Sequence, residues 1–343
     1  MRIKSISLTA VFLTLSFNIY AQNHNPLKVL KTLQIGGDGS GWDYLSLNPQ
    51  NNRLYVSHGS RVNIIDKVTG SPVAEITDTN GVHGIAFVPD TNKGYISCGK
   101  LDMVKVFDTH TSKVISEIPT GKNPDAIFYE IFSKKLIVCN GKSNDVSIID
   151  PQTNAVIRTI DVGGKPETAV SDNKGRIFVN IEDKNEVAVI DVKTFTVLHH
   201  WDLDKEEEPS GLAIDTKTNR LFSTCDKMLV ILDSNTGKVI KKTSIGEGSD
   251  GVVFDSASNT IYTSNGEGTI SVVHQDHANQ YTSLPNIETK KGARTIALDP
   301  STHHLYLPTA DFSTKEKDSR GRAAILPGTF QVLEVGIAGT GKP

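Results

Sequence analysis

The sequence predicts an all-β fold: a seven-bladed β-propeller with four antiparallel strands in each blade. Three observations support this prediction: a repeat of about 42 residues, four strand-like segments in each repeat, and an N-terminal strand that completes the last repeat. The chain of 343 residues contains 28 Gly and many β-branched side chains, as expected for short strands joined by turns.

The repeat is clearest in a short apolar segment that ends in Asp in five of its six copies. The copies VNIID, VKVFD, VSIID, VAVID, LVILD and ISVVH end at residues 66, 108, 150, 191, 233 and 274. Successive copies are therefore 41 or 42 residues apart. Tandem β-sandwich domains would repeat at about 100 residues, so this spacing favours propeller blades.

The innermost strand of each blade occurs seven times, as YLSLNP, GIAFVPD, AIFYE, TAVSD, GLAID, GVVFD and TIALDP. The seventh repeat has no fourth strand before the chain ends. The segment PLKVLKTLQIGG, which starts at Pro26, resembles the fourth-strand segment AVIRTIDVGG, which starts at Ala155. We therefore predict that the N-terminal strand closes the last blade and leaves the ring without an open sheet edge.

The stretch NDVSIIDPQTNAVIRTIDVGGKPE, residues 144–167, resembles the YVTN-repeat, YncE-like β-propeller family. The tetrapeptide YTSN, residues 262–265, is close to the sequence that gives the family its name. The resemblance extends over nearly the whole mature chain. It implies a propeller scaffold and brings no catalytic motif. Some propellers of related architecture are quinoprotein dehydrogenase subunits or metal-dependent lactonases.

The first 21 residues have the features of a secretory signal peptide. Arg2 and Lys4 precede an apolar run, and Ala21 provides a small residue before a cut at Gln22. The run is shorter than the roughly 20 apolar residues of a membrane span. We therefore expect a periplasmic or secreted protein with one propeller domain, residues 22–343, and no membrane span after cleavage.

Charge and cysteine content narrow the classes of partner. Without the first 21 residues the chain has 34 basic and 39 acidic residues, which argues against nucleic acid as a partner. The three cysteines cannot pair completely and no CxxC motif occurs, which argues against a disulfide framework. We expect a monomer that binds a small molecule or a protein.

One residue per blade directly precedes or begins the innermost strand, on the face where we expect the channel to open. These residues are Asp43, His83, Asp125, Glu167, Ser210, Asp250 and Arg294. We call them the mouth ring. Asp and Glu are common in turns because they form hydrogen bonds with the nearby backbone, so these acids can be ordinary turn residues. Carboxylates clustered at a narrow opening can also hold a cation. His58 and Trp42 are predicted to lie at the same mouth and to contribute to ligand binding.

The mouth ring makes a divalent cation a candidate cofactor. Carboxylates alone suit Ca²⁺, whereas His83 also permits Zn²⁺ or Mn²⁺. Our candidate ligands are Glu167, Asp250 and His83. A lactonase-like hydrolase would combine Glu167 and Asp250 with Asn140 and Asn265.

Three segments exceed the repeat length, and we place all of them on the mouth face. They are residues 202–211, 283–294 and 311–327. Insertions in repeat proteins often mark the binding face. The leading interpretation is an exported binding protein without catalytic residues that holds a ligand or partner at its channel mouth. A metal-dependent hydrolase and a quinoprotein-type subunit are the alternatives.

Overall fold

The computed structural model describes residues 27–338, which form seven four-stranded antiparallel sheets around a central channel. Within each sheet we name the strands A to D, from the innermost to the outermost. Each strand A contacts the A strands of both neighbouring blades, so the seven A strands make a closed ring. The predicted seven-bladed β-propeller is confirmed.

Six blades are continuous in sequence, and their strands follow in the order A, B, C, D. Blade one consists of β2 (Leu45–Leu47), β3 (Arg53–His58), β4 (Arg61–Asp66) and β5 (Pro72–Ile76). Blade two consists of β6 (Val82–Phe87), β7 (Lys93–Cys98), β8 (Met103–Asp108) and β9 (Val114–Pro119). Blade three consists of β10 (Pro124–Glu130), β11 (Lys135–Asn140), β12 (Asp145–Asp150) and β13 (Ala155–Asp161).

The next three blades repeat this order. Blade four consists of β14 (Pro166–Ser171), β15 (Arg176–Ile181), β16 (Glu186–Asp191) and β17 (Thr196–Asp202). Blade five consists of β18 (Leu212–Asp215), β19 (Arg220–Cys225), β20 (Met228–Asp233) and β21 (Val239–Ser244). Blade six consists of β22 (Ser249–Asp255), β23 (Thr260–Asn265), β24 (Thr269–His277) and β25 (Gln280–Glu288).

Blade seven joins the two ends of the described chain. Its strands A to D are β26 (Ala297–Asp299), β27 (His304–Thr309), β30 (Gln331–Ile337) and β1 (Leu27–Gln34). Strand β1 pairs antiparallel with β30 from one end to the other. The N-terminal strand therefore closes the last blade, as the sequence predicted. A separate hairpin, β28 (Phe312–Lys317) and β29 (Ala323–Ile325), is inserted between β27 and β30.

The core is divided among the interfaces between blades. Within the described residues, seven hydrophobic clusters occur, one between each pair of adjacent blades. Successive side chains of a strand point to opposite faces of its sheet. In strand β11, for example, Ile137 packs toward blade four and Val138 packs toward blade two. This alternation explains why the central strands are apolar at nearly every position.

The acid that recurs at the end of strand C has a structural role in the following turn. In blade one, Oδ1 of Asp66 accepts hydrogen bonds from the backbone N–H groups of Val68 (3.0 Å) and Thr69 (2.8 Å). Asp108 and Asp191 make the equivalent contacts in blades two and four. The repeated Asp therefore belongs to the scaffold of the turns.

One of the three predicted insertions is organised differently from our expectation. Residues 283–288, which we assigned to a long turn into blade seven, belong to strand β25. The extra length lies in the β24–β25 hairpin, whose strands have nine residues each. The other two insertions are the loop before β18 and the segment containing the β28–β29 hairpin.

The remaining sequence predictions concern the signal peptide, membrane-spanning segments and the cysteines. The predicted signal peptide lies outside the described residues. Within residues 27–338, no helix has the length and apolar character needed to cross a membrane. All three cysteines are buried and unbridged, and burial raises the pKa of Cys98 and Cys225 to about 12.

Candidate functional site

The backbone at the start of strand A fixes the mouth-ring side chains. In four blades the A–B pairing shifts register at this position, where His83, Asp125, Glu167 and Asp250 lie. Such bulges change the direction in which a side chain points and often occur next to binding sites. The ring positions are therefore set by main-chain geometry that is common to these blades.

Strand B supports this geometry with hydroxyl groups. Ser57 Oγ accepts a hydrogen bond from the backbone N–H of Asp43 at 2.8 Å, and Ser97 Oγ accepts one from Gly84 at 2.8 Å. At Gly84 a Cβ atom would lie 2.8 Å from Ile127 Cγ2. A residue without a side chain is therefore needed directly after His83, where blade two approaches blade three.

Three ring residues from blades one, two and three form one compact cluster. Nδ1 of His83 lies 2.6 Å from Asp43 Oδ2 and 3.6 Å from Asp125 Oδ1. One ligand-type atom from each residue lies within 4.8 Å of the other two. We call this group the Asp–His–Asp cluster. It brings together residues separated by about 40 positions in the sequence.

Asp125 is the most deeply buried member of the cluster. Its side chain is 8% exposed, and among the described residues its Oδ1 has no hydrogen-bond partner. Burial, reinforced by the charges of Asp43 and Asp250, raises the pKa of Asp125 well above its usual range. A buried carboxyl oxygen without a donor is costly unless a proton or a bound cation compensates it.

Glu167 lies on the next blade and faces a lysine. Lys165 Nζ lies 3.1 Å from Glu167 Oε2 and also pairs with Glu182 from the B–C turn of blade four. Burial and the charge of Asp125 raise the pKa of Glu167 to about 9, although Lys165 opposes this rise. Sequence reasoning missed Lys165, which lies two residues before the ring position.

The opposite side of the ring contains an ion pair. Arg294 Nε donates to Asp250 Oδ2 at 2.7 Å, and Arg294 Nη2 donates to the backbone carbonyl of Trp42 at 2.9 Å. Burial raises the pKa of Asp250, although Arg294 opposes this effect. Arg294 thus connects blades six, seven and one at the mouth.

Tyr44 crosses the channel below the ring. Its hydroxyl group lies 3.1 Å from Thr168 Oγ1, so the side chain reaches from blade one to blade four. Burial and the carboxylates of the ring, first among them Asp125, raise the pKa of Tyr44 well above its usual range. The phenol is therefore neutral at physiological pH and narrows the channel beneath the mouth. Tyr44 was not among the residues that the sequence predicted for the site.

The other predicted ligand-binding residues have structural partners. His58 is buried, lies 3.0 Å from Asn63 Oδ1 through its Nδ1, and packs against Phe330 at a ring-centroid distance of 4.2 Å. It therefore does not join His83. Trp42 is 6% exposed and packs between blades one and seven. Ser210 Oγ donates to the backbone carbonyl of Ser249 at 2.8 Å.

The predicted metal ligands do not converge as proposed. The structure places His83 with Asp43 and Asp125, while Glu167 faces Lys165 and Asp250 pairs with Arg294. The two asparagines of the lactonase-like arrangement are fully buried. Their amide nitrogens donate to Ser147 and Ser271, the hydroxyl groups of their own blades.

A cavity of about 750 Å³ opens at the other end of the channel. Its lining combines apolar ends of A strands from blades one, two, three and seven with polar turn residues. The apolar side chains include Leu47, Phe87, Tyr129 and Leu298. These residues stand at the ends of the predicted A strands, whereas the functional predictions from sequence concerned the opposite face, where the mouth ring lies.

The fold recurs among solved structures. One chain of the Kuenenia stuttgartiensis hydrazine synthase has a TM-score of 0.71 and 16% sequence identity, and the match covers 80% of this chain and 94% of that chain. At this identity the similarity concerns the fold alone. No curated protein matches this chain.

The family of this chain is identified by a match that begins at Asp43 and ends within strand β24 of blade six. Residues 43–272 match the family described as "Domain of unknown function (DUF5074)". This match spans more than half of the chain and includes six of the seven mouth-ring positions. The chain belongs to the DUF5074 family.

Proposed function

We propose that this protein is an exported binding module that holds a small, positively charged ligand in the acidic mouth of its channel. The observation that carries the proposal is an excess of carboxyl groups over cations at the mouth. Five carboxyl groups converge there, from Asp43, Asp125, Glu167, Glu182 and Asp250. Among the described residues, Lys165 and Arg294 are the lysine and arginine that form ion pairs with them.

The shape of the mouth favours a small ligand over a protein partner. The side chains of Asp43, Asp125 and Glu167 are 16%, 8% and 16% exposed, so they lie inside the opening. A protein surface would have to insert a side chain to contact them, whereas a small cation has direct access. Tyr44 closes part of the channel below and provides a floor.

The cellular setting belongs to the same proposal. The N-terminal segment supports cleavage before Gln22 and export to the periplasm or beyond. Kinship with the YVTN-repeat, YncE-like propellers is consistent with a scaffold that binds without catalysis, and we expect a monomer. Mass spectrometry of protein recovered from the periplasm tests the export step. We expect a mature N-terminus at Gln22, and retention of Met1 to Ala21 would contradict it.

Calorimetric titration of the metal-free protein tests the binding step. The probes are arginine, spermidine and choline, with glutamate and glucose as anionic and neutral comparisons. We expect at least one cation to bind, and we expect Asp125→Asn to weaken this binding at least tenfold. Asp226→Asn is the matched control, because it removes an exposed carboxylate from a B–C turn of the same face. Absence of cation binding, or equal binding of glutamate, would overturn the proposal.

A further inference from the structure

We propose that the Asp–His–Asp cluster, Asp43, His83 and Asp125, is a binding site for a divalent transition-metal ion such as Zn²⁺. This inference deepens the proposed function and rests on it, because it names the chemical class of the cation at the acidic mouth. The ligand atoms are one oxygen from each carboxylate and Nδ1 of His83.

The distances in the cluster suit such an ion after a small adjustment. Zn²⁺ binds carboxylate oxygen and imidazole nitrogen at about 2.0–2.2 Å, so two ligands of a tetrahedral ion lie about 3.4 Å apart. His83 Nδ1 and Asp125 Oδ1 are already 3.6 Å apart. His83 Nδ1 and Asp43 Oδ2 are 2.6 Å apart and would separate by about 0.8 Å.

Asp125 gives the independent evidence that a ligand belongs here. Its side chain is more than nine-tenths buried, and its Oδ1 points toward His83 without a hydrogen-bond partner among the described residues. Hydroxyl groups of strand B hold Asp43 and Asp125 at fixed positions. Ser57 of the same blade accepts a hydrogen bond from the backbone N–H of Asp43, and Ser97 of blade two donates one to the backbone carbonyl of Asp125. A cation would satisfy the free oxygen of Asp125 and would replace the hydrogen bond between His83 Nδ1 and Asp43 Oδ2, with loss of the proton that this bond shares.

The composition of the cluster favours a transition metal over Ca²⁺. Calcium takes six to eight oxygen ligands, as a rule, whereas this cluster offers two carboxylates and one imidazole nitrogen. Imidazole suits zinc and related ions. The side chains of His83 and Asp43 are 26% and 16% exposed, so part of the coordination sphere would face the mouth. A metal held by three protein ligands keeps such a position for water or another ligand.

Titration of the chelator-treated protein with Zn²⁺, Co²⁺ and Ca²⁺ tests this site. We expect one equivalent of Zn²⁺ to bind, Co²⁺ to develop visible absorption bands on binding, and Ca²⁺ to bind at least tenfold more weakly than Zn²⁺. We expect His83→Gln and Asp125→Asn each to weaken Zn²⁺ binding at least tenfold. His110→Gln and Asp226→Asn are the matched controls at exposed positions and should leave binding unchanged.

Circular dichroism spectra and denaturant midpoints of the variants show whether each one is folded. Zinc binding that His83→Gln and Asp125→Asn leave intact, or no stoichiometric zinc in the wild type, would overturn the metal site. Binding of organic cations to metal-free protein is measured separately. Its presence without zinc binding would overturn the metal site and leave the proposed function standing, whereas the absence of both kinds of binding would overturn both proposals.

Discussion

The closure of the ring by strand β1 makes a quantitative prediction about two leucines of that strand. Leu33 is 1% exposed and packs with Trp42 and Phe330 at the interface of blades seven and one. Leu30 lies three residues earlier on the same strand and is 37% exposed. Replacing each by Ala removes the same atoms from different environments, so the two variants form a matched pair.

The expected magnitudes follow from burial. Leu33→Ala removes about three buried carbon groups at roughly 0.8 kcal/mol each and leaves a cavity, so we expect a loss of about 3–4 kcal/mol in the free energy of unfolding. A Cβ atom on Gly70 would lie 3.0 Å from Leu33 Cδ2, which indicates tight packing between β1 and blade one. Leu30→Ala opens onto solvent, and we expect a loss of about 1 kcal/mol.

Equilibrium unfolding of the mature protein in urea measures both values, provided that refolding is reversible and the slope m is unchanged. If Leu33→Ala costs no more than Leu30→Ala, β1 does not join blades seven and one as described. Deletion of the chain up to Gln34 is the extreme case. It exposes the edge of β30, and we expect a loss of cooperative unfolding or aggregation through that edge.

Three further outcomes are expected. The pKa of Glu167 is raised to about 9, so the folded protein binds a proton there more tightly than the unfolded chain, and its stability falls as the pH rises from about 4.5 to 9. The free energy of unfolding of Glu167→Gln relative to wild type should therefore be larger at pH 8 than at pH 4, by on the order of 1–3 kcal/mol. An equal difference from wild type at both pH values would contradict this. Tyr44→Phe and Thr168→Val should each cost about 1 kcal/mol, and a double-mutant cycle should show that the two losses are not additive. Native protein should resist a thiol reagent at all three cysteines at pH 8, and rapid labelling before unfolding would contradict their burial.

The fold was predictable because seven copies of one pattern carry the same information. The structure of a single segment of four apolar residues is ambiguous, but its recurrence every 41 or 42 residues identifies it as one strand of a propeller blade. The same repeat shows that the seventh blade lacks a fourth strand, which the N-terminal segment can supply. The error at β25 has a physical cause. Pro285 and polar residues made this segment resemble a loop, but an outermost strand tolerates proline because one side of it has no pairing partner.

The site was predictable in position but not in its pairings. The repeat alignment placed seven residues at one mouth, and in four blades a bulge of strand A lies at this position. It could not show that Glu167 faces Lys165, since this lysine lies in a turn outside the aligned column. It also could not show that His58 turns into the interface beside Phe330, because a strand end gives no indication of which sheet face its side chain occupies.

The order of charges around the ring identifies the side where a ligand would gain most. His83 lies between Asp43 and Asp125. In the order of the ring, Arg294 lies between Asp250 and Asp43, and it donates to Asp250 and to the backbone carbonyl next to Asp43. Within the mouth ring, no such group lies between Asp125 and Glu167, and the charge of Asp125 adds to burial in raising the pKa of Glu167. A cation bound next to Asp125 would therefore stabilise the ionised forms of both carboxyl groups. Because each blade contributes one side chain from its own strand A, this arrangement can change residue by residue without altering the fold that presents it.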